Sequence, residues 1–579
     1  MCGIFGFYLN RRLDEKDIQL GLNGLKIQNH RGPDNTSYWV NKSEGIFIGH
    51  NRLTIIDSSN LSNQPMQEKG TVISFNGEIY NFLDLRRKYK NDFAPYKTNG
   101  DTEILLKLWK KLNIESLNEI DGMFAFAVFE NSELNLVVDF FGEKPLYFYT
   151  NKDGIFFSSE IKPIVKLLDV KLNKSEINET EFKLFGYINS PKTIYQNLKK
   201  ISPGTYVKIF KRSNRILYKN LSYARRPERS FEKGKIRQIT KKNIEQIKEI
   251  LINSIQNRLV SDVPVGVFMS SGIDSVLIST LIKKELNREI INYTVKFDKK
   301  LIHDESSYAS KISKTLGLKH EILQCNEKIS YNVDMIKDLY SHDLNDNLTI
   351  LPVNEMCKLA KKSITVALCG MGGDELFLGY NRYSFYYNFF WLIKNLRNFK
   401  VFINLFNKLS FKKIRKLNLL YENFLSVPAN SVYVNYKNFN QKKLFNEKLV
   451  ENICSKYFDS DLNNFITNVL NYDLSYTMPN SYIPAMELGS MKNSLEVRSP
   501  FLNRKLLNYI ENNIDQRSLI KFGKKNILKK ILSEYLPQNL YDTKKKGFIF
   551  PIEKILSDSK KESRNYNLVK LRKEIYNNI

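Results

Sequence analysis

"VFMSSGIDSVLIS" occupies residues 267–279. An apolar run rich in β-formers stops at Ser270, Ser271 and Gly272, and a helix-like apolar pattern resumes after Asp274 and Ser275. Small residues at a strand-to-helix corner let successive backbone N–H groups converge on an anion, and the hydroxyls of Ser270 and Ser275 add donors. Asp274 would repel a phosphate unless a cation lay between them; Mg²⁺ commonly takes one or two carboxylates plus phosphate oxygens. The loop lacks the G-K-[ST] ending whose lysine reaches the β- and γ-phosphates in Walker-type sites. A different nucleotide chemistry is indicated.

The layout recurs downstream. "ITVALCGMGGDELFLGY" (364–380) gives a strand over 364–368, a glycine-rich corner at Gly370, Gly372 and Gly373, then Asp374 and Glu375 opening a helix. Two such corners on neighbouring strands make a phosphate cradle with one metal carboxylate from each. The surrounding texture supports this. From Asn243 onward, strands ("VGVFMSS", "INYTVKF", "ITVALCG") alternate with helical segments ("IEQIKEILINSIQNRL", "SVLISTLIKKEL", "YASKISKTLG"), the pattern of a parallel sheet wrapped by helices. In such a sheet, ligands sit beyond the carboxyl ends of the strands.

The first 210 residues read differently. Short alternating runs broken by Gly, Asn and Asp ("GIFGFYL", "TVISFNGEIY", "GMFAFAVFE", "GIFFSSE") predict a β-rich layer, with helices at "DIQLGLNGLKIQ" and "DTEILLKLWKKL". A basic polar stretch over 211–242 predicts a linker. The expected domains are therefore 1–210 and 243–579, and 579 residues at 42% hydrophobic content suffice for two separate cores.

Net charge is +28, which raises nucleic acid or an anionic membrane as partners. Lys and Asn are spread along the whole chain without a dedicated basic arm, so a solvated surface is the preferred reading. Five scattered cysteines, none paired as C-x-x-C, suggest neither a disulfide framework nor a zinc site and fit a reducing cytoplasm. The aromatic stretch "YSFYYNFFWLI" from Tyr383 falls short of the roughly 20 residues that span a bilayer.

In chain order, "MCGIFGF", "RGPD", "GHNRLTIID", "FNGEIYN", "TNGDTEILL" and "GEKPLY", followed by "SSGIDS", "GMGGDELFLGY", "SLEVRSPFLNRKL", "KKNILKKIL" and "KKKGFIFP", resemble the glutamine-dependent asparagine synthetase family over nearly the whole chain. The resemblance implies an N-terminal Ntn-type αββα glutaminase sandwich and a C-terminal parallel α/β sheet like that of the adenine nucleotide alpha hydrolases. It implies ATP as substrate, Mg²⁺, glutamine, and a carboxylate acceptor, aspartate first; the family precedent is a homodimer.

Cys2 abuts the initiator methionine. If Met1 is removed, its thiol and a free α-amine share one residue, and an amine with a pKa of about 8 can act as base at neutral pH. By resemblance, Asn76 and the Gly77 N–H form the oxyanion hole, Arg52 grips the substrate carboxylate, and Glu78 and Asp101 its ammonium group. Asp274 and Asp374 are the implied Mg²⁺ ligands, and Ser270, Gly272 and Ser275 the pyrophosphate contacts. Val295 and Gly370 lie where the family contacts adenine and ribose. Lys525 matches the lysine at the α-phosphate, with Lys524 a competitor one residue away. A dry passage for ammonia between the two halves is implied as well.

Several positions depart from the family pattern. Ser271 stands where the loop has Gly, Cys369 replaces a Ser, and Met371 replaces an acid of the G-[DE]-G-x-D-E corner. Val138 and Phe140 stand where two arginines are usual, Glu487 and Leu488 where "DR" is usual, and Asn503 replaces an Asp. The acceptor side has drifted more than the glutaminase side. Three readings stay open: asparagine formation, amidation of another carboxylate such as a uronic acid for surface polysaccharide, and a scaffold without catalysis.

Overall fold

The computed structural model describes residues 2–213, 215–227, 229, 236–296, 304–325, 332–388, 447–459, 461, 464–541 and 564–578. The end of the aromatic stretch from Tyr383 and the "KKKGFIFP" motif lie outside the described residues.

Twelve strands build the first domain: β1 (Gly3–Leu9), β2 (Asn35–Asn41), β3 (Ile46–Arg52), β4 (Met66–Glu68), β5 (Thr71–Ile79), β6 (Gly122–Glu130), β7 (Glu133–Val138), β8 (Tyr147–Thr150), β9 (Gly154–Ser158), β10 (Leu198–Lys200), β11 (Thr205–Arg212) and β12 (Arg215–Ser222). They form two six-stranded antiparallel sheets, ordered β10-β8-β9-β1-β3-β2 and β12-β11-β7-β6-β5-β4. Strand alternation sorts the side chains of β1. Ile4 and Tyr8 enter the inter-sheet core with Ile48, Ala125 and Leu136, while Phe5, Phe7 and Leu9 face outward onto Leu25 of helix Glu15–Ile27. Helix Asp101–Leu112 covers the other sheet through Ile104, Leu108 and Trp109. Both faces of each sheet are thus buried, and the layers run α, β, β, α.

The linker expected over 211–242 needs correction. Residues 205–222 form a hairpin in which β12 is an edge strand, registered Thr205↔Ser222 through Arg212↔Arg215. One side of β12, Ile216 and Tyr218, packs on the core, while its lysine, arginine and asparagine face water. Charged edges of this kind block further strand pairing, and in sequence they look like a linker.

In the second domain β13 (Val265–Phe268), β14 (Ile291–Lys296), β15 (Lys319–Gln324), β16 (Val366–Leu368) and β17 (Glu496–Arg498) make a parallel sheet ordered β15-β14-β13-β16-β17. The chain winds outward from β13 to β15, then restarts on the other side at β16. The strand order therefore reverses between β13 and β16, and a crevice opens at their carboxyl ends. The corners 269–274 and 369–374 are the loops that leave those two ends.

Candidate active site

The residues expected to handle glutamine converge on one pocket. Cys2, Arg52, Gly77, Glu78 and Asp101 line it with Leu53, Ile55 and Gln64, around about 400 Å³ of space partly open to solvent. β1 delivers Cys2, β3 ends in Arg52, and β5 carries Asn76, Gly77 and Glu78. Asn76 is wholly buried; its Oδ1 accepts from the backbone N of Cys2 at 3.0 Å, and its Nδ2 has no hydrogen-bond partner among the described residues. A buried amide donor left open beside a thiol is placed to meet a developing negative charge. Gly77 must be glycine: a Cβ there would lie 2.1 Å from the carbonyl oxygen of Met123.

Arg52 is fixed by the carbonyls of Asp57 and Ser59 and by Asn63 Oδ1 at 2.8 Å. Asp101 opens helix Asp101–Leu112 and accepts from Ile79 N at 2.8 Å, while burial raises its carboxyl to about 6. Burial also pushes the Cys2 thiol up, so attack requires a base. Glu78 lines the pocket, but its carboxylate also faces Arg498 of the second domain at 3.4 Å. Burial, then the neighbouring Glu496, raises Glu78 well above the usual carboxylate range.

Two residues named in the quoted motifs but given no role there also serve this site. Arg31, from "RGPD", donates through Nε to the carbonyl of Cys2 at 3.1 Å. Arg498, from "SLEVRSPFLNRKL", reaches Glu78 from β17. Only their place in a motif could have singled them out.

The second site lies in the crevice. Lys525 Nζ sits 2.5 Å from Asp274 Oδ2 and 2.5 Å from Asp374 Oδ1. Two such contacts to one nitrogen place those oxygens within 5.0 Å of each other. Lys525 is 4% exposed and holds the left-handed conformation, φ 53°, immediately before helix Asn526–Leu532; strain of this kind in a non-glycine residue gathers at functional sites. Lys524, by contrast, is half-buried and turns to Asn381 instead of the two aspartates. Gly379 permits the approach, since a Cβ there would fall 2.2 Å from both Asp374 Oδ1 and Lys525 Cε.

The Ser270–Ser275 loop is stitched by its own hydroxyls: Ser270 N donates to Ser275 Oγ and Gly272 N to Ser270 Oγ, each at 3.0 Å. Ser271 N donates to the Glu305 carboxylate at 3.2 Å, so this loop already accepts an anionic oxygen. Gly370 packs on Asp274, where a Cβ would come within 2.8 Å of the aspartate's own Cβ. The register pairing Phe268 with Tyr293 carries Val295 level with Ser270. Met371 is part-buried against both large apolar cores of the molecule, a setting that suits a thioether. Between the two sites, Leu53, Ile55, Tyr80 and Met123 of the first domain pack with Val366 and Met491 of the second in one apolar cluster.

A thiol pocket on an Ntn-type sandwich and a phosphate-type corner on a parallel sheet, joined in one chain, place the protein among glutamine amidotransferases that carry a synthetase domain. Comparison with known families narrows this. The glutamine amidotransferase domain matches residues 1–220 and asparagine synthase matches residues 246–576. The chain belongs to the asparagine synthase family. Asparagine synthetase [glutamine-hydrolyzing] 1 of Bacillus subtilis (strain 168) is 28% identical, covering 97% of this chain and 89% of its own. Asparagine synthetase [glutamine-hydrolyzing] 3 of the same organism is 25% identical over 95% and 87%, and asparagine synthetase B [glutamine-hydrolyzing] of Escherichia coli (strain K12) is 27% identical over 66% and 65%. The protein is a glutamine-dependent amidating ligase with ATP as substrate. No helix among the described residues is long and apolar enough to cross a membrane.

Proposed function

We propose that the protein converts aspartate to asparagine, with the Asp274–Lys525–Asp374 bridge at the strand-order reversal as the observation that carries the synthetase half. In the first step, Cys2, freed of Met1, passes its thiol proton to its own α-amine, which keeps the place of the present Cys2 N against Asn76 Oδ1. The sulfur attacks the glutamine amide carbon, and the oxyanion is held by Asn76 Nδ2 and the Gly77 N–H; each such donor is worth roughly 10²–10³ in rate. Ammonia leaves with the proton, and water then releases glutamate from the thioester. Arg52 and Asp101 hold the two charged ends of the amino acid.

The apolar cluster of Leu53, Met123, Val366 and Met491 suits passage of uncharged ammonia toward β16. At the crevice, the loops after β13 and β16 receive the ATP phosphates. Lys525 neutralises charge at the α-phosphate as the acceptor carboxylate displaces pyrophosphate, and ammonia then displaces AMP. Asp274 and Asp374 bring two carboxylates to one end of the crevice, their facing oxygens no more than 5.0 Å apart, and one or two carboxylates plus phosphate oxygens is the donor set that Mg²⁺ takes. Asp274 and Asp374 would hold it, and when bound it screens the charge of the departing pyrophosphate.

Met371 favours a second acceptor. A thioether cannot act as acid or base, and a corner without that acid suits a carboxylate other than aspartate, such as a uronic acid. Pyrophosphate release is measured with MgATP, glutamine and a panel of carboxylates. Release with aspartate alone supports asparagine formation; release only with uronic acids overturns it. Cys2→Ala is expected to abolish glutamine use and spare reaction with added ammonium. Loss of both activities in a folded variant contradicts the two-site scheme.

A further inference from the structure

The segment of the second domain that runs into β17 reaches the glutaminase centre through residues that do not themselves line the substrate pocket. Glu487, on helix Ile483–Met491, is 5% exposed and pairs with two cations of the first domain: Arg31 Nη2 at 2.6 Å and Lys144 Nζ at 2.9 Å. Both cations are buried, at 0% and 1% exposure. Arg31 is also held through Nη1 by Glu160 at 3.1 Å. Its remaining donor, Nε, meets the Cys2 carbonyl. An N-terminal residue ordinarily frays. Here Cys2 is pinned at its nitrogen by Asn76 and at its carbonyl by Arg31, which leaves side-chain rotation as its main freedom.

The same segment is tied to the nucleotide crevice. Glu487 lies eleven residues before Arg498, whose carbonyl accepts from Cys369 N at 2.9 Å directly before Gly370, and β17 pairs with β16 along Val366–Leu368. Glu487 is therefore fixed relative to the ATP corner and fixes, through Arg31, the backbone of the nucleophile.

We propose that Glu487 is a positioning residue that sets the attack geometry of Cys2 from the synthetase domain, so that its loss impairs glutamine hydrolysis at the chemical step rather than in binding. The inference rests on the glutamine-hydrolysis reading above. Charge is central to it: with Glu487 gone, Lys144 loses its ion pair and Arg31 keeps only that with Glu160, which it shares with His30, and Arg31 is drawn away from the Cys2 carbonyl. Among the described residues, Arg52 and Asp101 make no hydrogen bond or ion pair to this group of charges, so substrate grip is spared.

The full chain is assayed as wild type, Glu487→Gln, Glu487→Asp and Arg31→Lys for glutamate formation (kcat and KM), and for pyrophosphate release driven by ammonium. Glu487→Gln is expected to lower kcat for glutamate formation at least about tenfold with KM within about threefold, since misplacing a reacting group acts on the chemical step. Its ammonium-driven release is expected within about twofold of wild type, because the crevice residues are untouched. Glu487→Asp, which keeps the charge, recovers most of kcat. An unchanged kcat in Glu487→Gln, or a parallel fall in both activities, overturns the proposal. If Glu487→Gln does not fold, Arg31→Lys decides: it retains a cation opposite Glu487 but has one nitrogen where Arg31 uses three to meet Glu160, Glu487 and the Cys2 carbonyl, and a normal kcat there overturns the proposal too. Absence of glutamate formation in the wild type instead removes the underlying reading, and the proposal with it.

Discussion

Replacing Asp101 by asparagine removes a charge that burial disfavours. Its carboxyl titrates at about 6 against an ordinary 3.8, a rise of roughly two units that corresponds to about 3 kcal/mol. The folded protein binds this proton more tightly than the unfolded chain. The destabilisation is therefore absent below about pH 4, grows between pH 4 and 6, and is complete above about pH 6. Asparagine retains an oxygen to accept from Ile79 N, so the variant is expected to gain about 1–3 kcal/mol at pH 7.5, or roughly 3–8 °C in the unfolding midpoint of a domain of this size. The gain shrinks as pH falls toward 5. Glutamine binding moves the other way: loss of a charged hydrogen bond of about 1.5–3 kcal/mol raises KM roughly 10–150-fold, while ammonium-driven pyrophosphate release is unchanged. Scanning calorimetry across pH 5–8 with parallel kinetics tests this. No stabilisation at pH 7.5, a gain that ignores pH, or an unaltered KM refutes the assignment of Asp101 as the buried anion that meets the substrate ammonium.

Three further substitutions probe the geometry. Lys525→Met leaves Asp274 and Asp374 facing each other without their shared ammonium, and pyrophosphate release is expected to fall at least about 10²-fold, with glutamate formation retained. Gly379→Ala drives a Cβ to 2.2 Å from Asp374 and Lys525; the same activity should be lost although the residue contacts no substrate, and circular dichroism should show an intact fold. Gly77→Ala meets the Met123 carbonyl at 2.1 Å and displaces the strand that carries Asn76, so glutamate formation is expected to drop about 10²-fold or more with ammonium-driven release spared.

The sequence revealed the strands whose alternation is strong. β1 reads as buried because apolar residues fill both its faces, and the two corners read as ligand loops because small residues interrupt strand-to-helix transitions at Ser270 and Gly370. β12 was hidden because only Ile216 and Tyr218 face inward among lysine, arginine and asparagine, so that an edge strand looks like a tether. The π-helical turn Asp473–Tyr482, which buries Asp473 against Arg382 and Tyr383, has no periodic signature. Neither does the Arg31–Glu487–Lys144 group, whose members are 456 and 343 residues apart and meet only when the two domains close on each other. Local pattern gave the elements and the individual chemistries; the bonds that join the two halves are long-range and needed the fold.

Lys525 gives the crevice at the strand-order reversal its own resident counter-ion. Two acids this close, one of them buried, would ordinarily repel each other and loosen the walls, and many metal sites rely on the ion itself for cohesion. Here a covalently tethered cation performs that service, so chelation should silence the ligase without lowering its melting temperature, and the empty enzyme can wait for its nucleotide already assembled.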